Sequence, residues 1–337
     1  MKAIVQRAYG SDEVLRLEDV PVPSVGAGEV LVRVHAASLH ADIWHVVTGR
    51  PYVMRLMGGG LRRPKVLIPG IDLAGRVESV GPGVTQFKPG DDVFGECVRG
   101  IQWKNGGAFA EYASVLAKDL APMPEKLSYI EAAAIPTSGL IALQAVRDEG
   151  DVQSRQRILI NGAGGAVGTF AVQLAKAYAG EVTGVDSAEK LDALCSLGAD
   201  HVIDYALTDF TTTGDRYDLI IDIPGTQSLS SIRDALTPEG TYVFVGHDQY
   251  GRRGHPVIGS IGRILHMLVM TPFVPQFKAP GKISPRDERL AILTELVGAG
   301  HVTPFIDSTY PLAEIRQALR RLEQGTAIGK IVVTISE

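Results

Sequence analysis

The feature that most constrains this chain is a run of glycines between an apolar strand and a small-residue helix, Ile158-Leu159-Ile160-Asn161-Gly162-Ala163-Gly164-Gly165-Ala166-Val167-Gly168. Gly162 permits a tight turn out of the strand. Gly164 or Gly165 leaves room for backbone N–H groups to approach a pyrophosphate, and Gly168 lets the helix pack closely against the strand. Ala166 and Val167 open that helix, whose N-terminus offers partial positive charge to a phosphate. The competing reading is a glycine turn without a ligand, and the strand–turn–helix context argues against it. Asp186 closes the next strand, 18 residues beyond Gly168. An acid there accepts hydrogen bonds from ribose hydroxyls and repels a 2′-phosphate, which favours NAD(H). Lys190 is the counterweight: it either reaches a 2′-phosphate or is a solvated helix lysine, so NADP(H) stays open.

The surrounding pattern predicts two domains. Residues 1–126 have a β texture, with short strands at 1–6, 29–36 and 75–80 separated by turn signals such as PVPSVGAGE and KPGDDV. From residue 127 strands and helices alternate. Helix is expected over 129–148, broken near Pro136, then strand 157–161, helix 166–179, strand 181–186 and helix 188–197. Strands 201–204, 219–223 and 242–246 follow, with helix 228–236 before the last. Such alternation implies right-handed crossovers and a parallel sheet, hence a doubly wound α/β domain. Helix 286–299, strand 303–306, helix 312–324 and strand 330–335 complete the chain, the last strand returning to the first domain. The domains are therefore drawn as 1–126 with 288–337, and 127–287. The apolar run 256–275 carries Arg263 and His266 at its centre and reads as buried or interfacial rather than transmembrane. It lies in a connection, 249–285, long enough to line a pocket, cover a cleft or join two copies.

Composition narrows the function. A net charge of −5 over 337 residues gives no basic footprint for nucleic acid. Two cysteines, Cys97 and Cys195, supply neither a disulfide framework nor a four-cysteine zinc site, and Cys195 reads as a small buried hydrophobe in a helix. The start of the chain has no apolar core of signal-peptide length, so a cytoplasmic protein with no membrane partner is expected. Ser138 is not in a nucleophile-elbow motif, so no serine hydrolase is indicated.

The order of parts resembles the medium-chain dehydrogenase/reductase superfamily. MKAIV, PVPSVGAGEVLVRVHAASLHADIW, IPGIDLAGRVESVGPGV, KPGDDVFG, the glycine turn, LGADHVIDY and GKIVVTI carry the likeness along nearly the whole chain. It implies a GroES-like β domain holding both chain ends, with a Rossmann domain between, and a homodimer. Zinc-dependent members have a cysteine, a histidine and a cysteine where this chain has Leu39, Ile71 and Thr137, and aliphatic side chains cannot ligate a metal. No zinc is therefore expected, and the zinc-independent branch resembling quinone oxidoreductase is the nearer match. The resemblance places His40 and Asp42 in the active-site wall and Thr137 against the nicotinamide, with Val245, Gly246 and His247 beside it and Lys330 near the cofactor. Tyr52 is a candidate phenolic donor. Each has a plainer reading: His40 orienting a loop, Asp42 accepting bonds at a helix start, Tyr52 as a rim aromatic.

Zinc makes alcohol oxidation feasible by stabilising an alkoxide. Without it, an already polarised acceptor is the better substrate, because a conjugated carbonyl delocalises the incoming charge. The expectation is a nicotinamide-dependent oxidoreductase acting on a small-molecule quinone or enone. Two alternatives stand beside it: an alcohol dehydrogenase or aldehyde reductase with a non-standard metal site, and a cofactor-binding sensor without turnover.

Overall fold

The computed structural model describes residues 1–98, 100, 105–246, 255–277 and 283–335. Strand Glu29–Leu39 organises the first half. Val30, Val32 and Val34 are buried, whereas Arg33 points outward, and eleven residues give it length to pair with three strands. It lies antiparallel to Asp72–Val80, Tyr112–Leu116 and the final strand Lys330–Thr334. The seven-stranded sheet continues through Asp92–Glu96 to Leu120–Pro122 on one side and to Ile306–Pro311 on the other. Helix Ile315–Gln324 covers it with Ile315, Ala318, Leu319 and Leu322, a helical stripe, and stops at Gly325 with φ 73°.

The second sheet is wholly parallel, in the order His201–Asp204, Glu181–Asp186, Arg157–Asn161, Tyr217–Asp222, Leu236–Phe244. Its middle strands read as continuous apolar runs because helices cover both faces. The strand order reverses at Arg157–Asn161, which opens a crevice at the carboxyl ends of the strands, directly above Asn161 and Asp222. Helices Ala166–Ala177, Pro136–Leu143 and Arg286–Gly298 pack together over one face.

Three expectations need correction. The strand placed at 303–306 instead runs Ile306–Pro311, because Gln173 takes both backbone groups of Thr303: its Nε2 donates to the carbonyl at 2.8 Å and its Oε1 accepts from the N–H at 2.8 Å. The strand placed at 242–246 runs Leu236–Phe244. Cys195 is exposed, not buried; Leu194 is the residue that its short helix, Leu191–Ser196, buries. The apolar run, read as buried or interfacial, forms helix Ile261–Met270 with no buried residue of its own and is followed by the buried Val274. Among the described residues no helix is long and apolar enough to cross a membrane.

Candidate active site

A cleft of about 1100 Å³ lies between the two sheets and receives the glycine turn, the carboxyl ends of the parallel strands and helix Ala41–Thr48. Gly162 has φ 82°, which lets the chain leave its strand and turn at once. A Cβ on Gly168 would stand 2.3 Å from the Gly162 carbonyl and 2.4 Å from that of Ala163, so helix Ala166–Ala177 sits as close as glycine allows. At Gly165 a Cβ would meet only the Gly162 carbonyl, at 3.4 Å, so this position faces open cleft. No side chain caps the helix there. Ala166 and Val167, which line the cleft, thus present first-turn N–H groups that lack intrahelical partners. These residues fit a dinucleotide pyrophosphate.

Asp186 lines the same cleft. Its Oδ2 accepts from the Gly164 N–H at 2.8 Å and its Oδ1 from the Ser187 N–H at 2.9 Å. Lys190 is not a solvated lysine. It is 5% exposed, lies 3.4 Å from Asp186, and donates to the Gly325 carbonyl. The Gly329 N–H donates to the Gly164 carbonyl at 3.0 Å, so the loop before the last strand is joined to the glycine turn. Val245 and Gly246 line the cleft just beyond their strand; His247 lies outside the described residues.

On the acceptor side, His40 caps helix Ala41–Thr48. Its Nδ1 accepts from the Asp42 N–H at 3.2 Å, and the ring is 6% exposed at the cleft wall. Asp42 lines the cleft beside it. Tyr52 does not line it among the described residues: its ring is 42% exposed and stacks under the Arg55 guanidinium, 4.8 Å away. Lys330 also turns away from the cleft. It is fully buried, with Nζ 3.0 Å from Asp72 Oδ2 and 3.3 Å from Ser138 Oγ.

Thr137 lines the cleft and connects two buried acids. Its hydroxyl contacts Asp72 Oδ1 in a short bond and lies 2.7 Å from Glu96 Oε1. One hydroxyl has one proton, so it cannot donate to both carboxylates. Asp72 is the better-supplied acceptor, with Lys330, the Ser38 hydroxyl at 2.8 Å and the Thr137 N–H at 3.1 Å. Burial pushes the Glu96 carboxyl up; the Arg286 guanidinium pulls it down, and the Asp72 charge pushes it up further. Burial thus favours a proton shared between Thr137 and Glu96. Sequence reading missed Glu96 and Arg286, both of which line the cleft. The one available signal was an acid directly after the apolar stretch Val93-Phe94-Gly95 of strand Asp92–Glu96, and buried strand ends do not normally hold an acid unpaired.

This assignment has a sign. A carboxyl raised in the folded state binds more protons there than in the unfolded chain. Stability therefore falls as pH rises from the unfolded carboxyl range through the raised value, and stays lower above it. Glu96→Gln should keep the Thr137 contact and flatten that decline. Glu149 and Asp119, raised in the same way by burial, leave a residual slope. Melting curves from pH 4 to 8 read the difference; parallel profiles for the two proteins would contradict the shared proton.

Residues 255–277 contribute to the wall of the cleft. Tyr52 N–H donates to the Pro256 carbonyl at 3.2 Å and Val53 N–H to that of Val257 at 2.8 Å, while Ile258, Ile261 and Ile264 line the interior. Arg263 anchors the segment to the parallel sheet by donating to the Gln227 carbonyl and the Tyr242 hydroxyl, each at 2.7 Å. Of the three roles left open for this connection, lining the cleft is the one its described part performs. Among the described residues no three His, Cys, Asp or Glu side chains are grouped to hold a metal ion.

Residues 26–125 match the alcohol dehydrogenase GroES-like domain, and residues 197–333 match the zinc-binding dehydrogenase family. A chloroplast envelope quinone oxidoreductase homolog of Arabidopsis thaliana is 30% identical over 345 residues, covering 99% of this chain and 98% of that protein. The chain is a medium-chain dehydrogenase/reductase of the quinone oxidoreductase-like group. A 2-methylene-furan-3-one reductase of Solanum lycopersicum is 32% identical over 343 residues, covering 99% of this chain and 79% of that protein. The quinone oxidoreductase of Coxiella burnetii superposes with a TM-score of 0.84 at 29% identity, covering 100% of this chain and 99% of that one. This medium-chain member is thus an oxidoreductase that uses a nicotinamide cofactor.

Proposed function

We propose that the protein reduces a quinone or an α,β-unsaturated carbonyl by hydride transfer, without a metal ion and with NAD(H) preferred to NADP(H). The observation that carries this reading is the chemistry at the positions where zinc-dependent relatives hold ligands. Leu39 and Ile71 are buried aliphatic side chains, and the Thr137 hydroxyl is committed to two acids. The relatives named for quinone and furanone reduction support the acceptor class. In this reading residues 127–287 hold the dinucleotide, and residues 1–126 with 288–337 hold the acceptor.

When bound, the reduced nicotinamide supplies the hydride. Gly165, Ala166 and Val167 hold the pyrophosphate, Asp186 the ribose, and Thr137, Val245 and Gly246 the nicotinamide end; Gly164 does not line the cleft, because its N–H and carbonyl are taken by Asp186 and Gly329. His40 supplies the hydrogen bond to the acceptor oxygen. His40 Nδ1 is held at the helix start by the Asp42 N–H and Asp42 Oδ2, each at 3.2 Å, so Nε2 is the ring nitrogen left to face the acceptor. A donor aimed at a developing enolate or phenolate oxygen is strongest in a water-poor site, and Ile71, Met54, Met57, Ile258 and Ile264 make that wall apolar.

The decisive experiment is titration with NADH and NADPH, followed by a panel of quinones and enals read at the reduced-nicotinamide absorbance. The reading expects rapid oxidation by several of them. Tight cofactor binding with no acceptor turning over would favour a sensor, and a requirement for stoichiometric zinc would favour an alcohol dehydrogenase. Asp186→Asn should raise the NADPH-to-NADH ratio of kcat/KM by at least about tenfold, because it removes a like charge from the 2′-phosphate and releases Lys190. An unchanged ratio would place cofactor selection elsewhere.

A further inference from the structure

Exposed apolar side chains gather on the two segments that meet at the cleft rim. One segment contributes Leu56 (73% exposed), Met57 and Leu61; the other contributes Leu265, Leu268, Val269 and Phe273 (78% exposed). The two are joined by the hydrogen bonds from Tyr52 and Val53 to Pro256 and Val257. Single exposed hydrophobes need no explanation, but a contiguous set rimmed by charge marks an interaction surface.

The charge on these segments is of one sign. Between Asp42 and Asp72 there are five basic residues, Arg50, Arg55, Arg62, Arg63 and Lys65, and no acid. Between Asp248 and Asp287 there are six basic residues and again no acid, in a chain whose net charge is −5. Arg50, Arg62, Arg63 and Lys65 are exposed and enter no ion pair among the described residues. Some exposed cations elsewhere are paired, such as Arg76 with Asp92 and Arg157 with Asp215. Helix Ile261–Met270 has an exposed apolar face and no acidic residue; its one arginine, Arg263, is turned to the parallel sheet, so the described cations of the rim come from the neighbouring segment.

We propose that this rim is a docking surface for an anionic lipid membrane, with the helix Ile261–Met270 and the loop around Leu56–Leu61 dipping into the interface and Arg62, Arg63 and Lys65 contacting headgroups. A second copy of the chain fits less well. A two-fold contact would set one cationic rim against another and would cover the opening of the cleft. A membrane instead supplies the opposite charge and apolar depth together. The inference does not depend on which acceptor the enzyme reduces.

The test is sedimentation of the full-length protein with vesicles of phosphatidylcholine alone or with 30 mol% phosphatidylglycerol. Binding is expected only to the anionic vesicles and should weaken as salt is raised. Arg62→Ser with Arg63→Ser should lower partitioning about 25-fold, roughly fivefold for each cation near the surface. Leu265→Glu with Leu268→Glu should abolish it, with melting temperature unchanged because both side chains already face solvent. No sedimentation with anionic vesicles would overturn the proposal. So would a wild-type dimer that the Leu265→Glu, Leu268→Glu protein converts to monomer without any vesicle binding in the wild type, which would assign the face to a second copy.

Discussion

Lys330→Met should lower the stability of the protein by about 3–5 kcal/mol. The Lys330 ammonium and the Asp72 carboxylate are both fully buried, 3.0 Å apart, and the lysine is the only cation placed on that acid among the described contacts. Removing it strands Asp72 in a low-dielectric interior with only Ser38 and Thr137 to donate to it. For a chain of this size the loss corresponds to a fall of roughly 4–7 °C in Tm. The effect should be largely rescued by Asp72→Asn in the same chain, since the double variant buries no uncompensated charge. Thermal or urea unfolding of the two proteins is the measurement. A single variant within about 1 kcal/mol of wild type, where surface pairs fall, would show that the pair does not anchor the last strand.

His40→Ser should lower kcat by about 10²–10³ while leaving NADH binding unchanged. Serine is a good N-cap, so it keeps an acceptor for the first turn of helix Ala41–Thr48 and costs little stability. It lacks the ring that would carry a proton toward the acceptor. A loss confined to kcat, with KM steady, identifies an interaction made in the transition state rather than in the bound complex. A kcat within threefold of wild type would remove His40 from the mechanism and leave it as a cap.

How far the site was legible follows the range of the interactions involved. The glycine turn and Asp186 are local: strand, turn and helix lie within one stretch of chain, and each glycine answers a steric demand that the sequence itself displays. The parallel strands at Arg157–Asn161 and Glu181–Asp186 were read to the residue for the same reason. Lys330 shows where local reasoning ends. Its neighbour Gly329 does meet the glycine turn, but successive residues on a strand face opposite ways, so Lys330 points inward to an acid 258 positions away. Glu96 and Arg286, 190 positions apart, meet only through the packing of two sheets. Tyr52 failed for another reason. Its neighbours Pro51 and Val53 line the cleft, but its own ring stacks on Arg55 and stays exposed, nearer the plainer reading of a rim aromatic.

The account rests on hydride delivery to an acceptor polarised by its own conjugation and by His40, with no ion at the reacting oxygen. The most direct measurement is a single turnover of chelator-treated, metal-assayed protein with NADH carrying two deuterons at C4 and an enal acceptor. The account predicts that deuterium appears in the reduced product at a rate unchanged by chelation or by added zinc. A product without the label, or a rate that vanishes on chelation and returns with one equivalent of zinc, would contradict it.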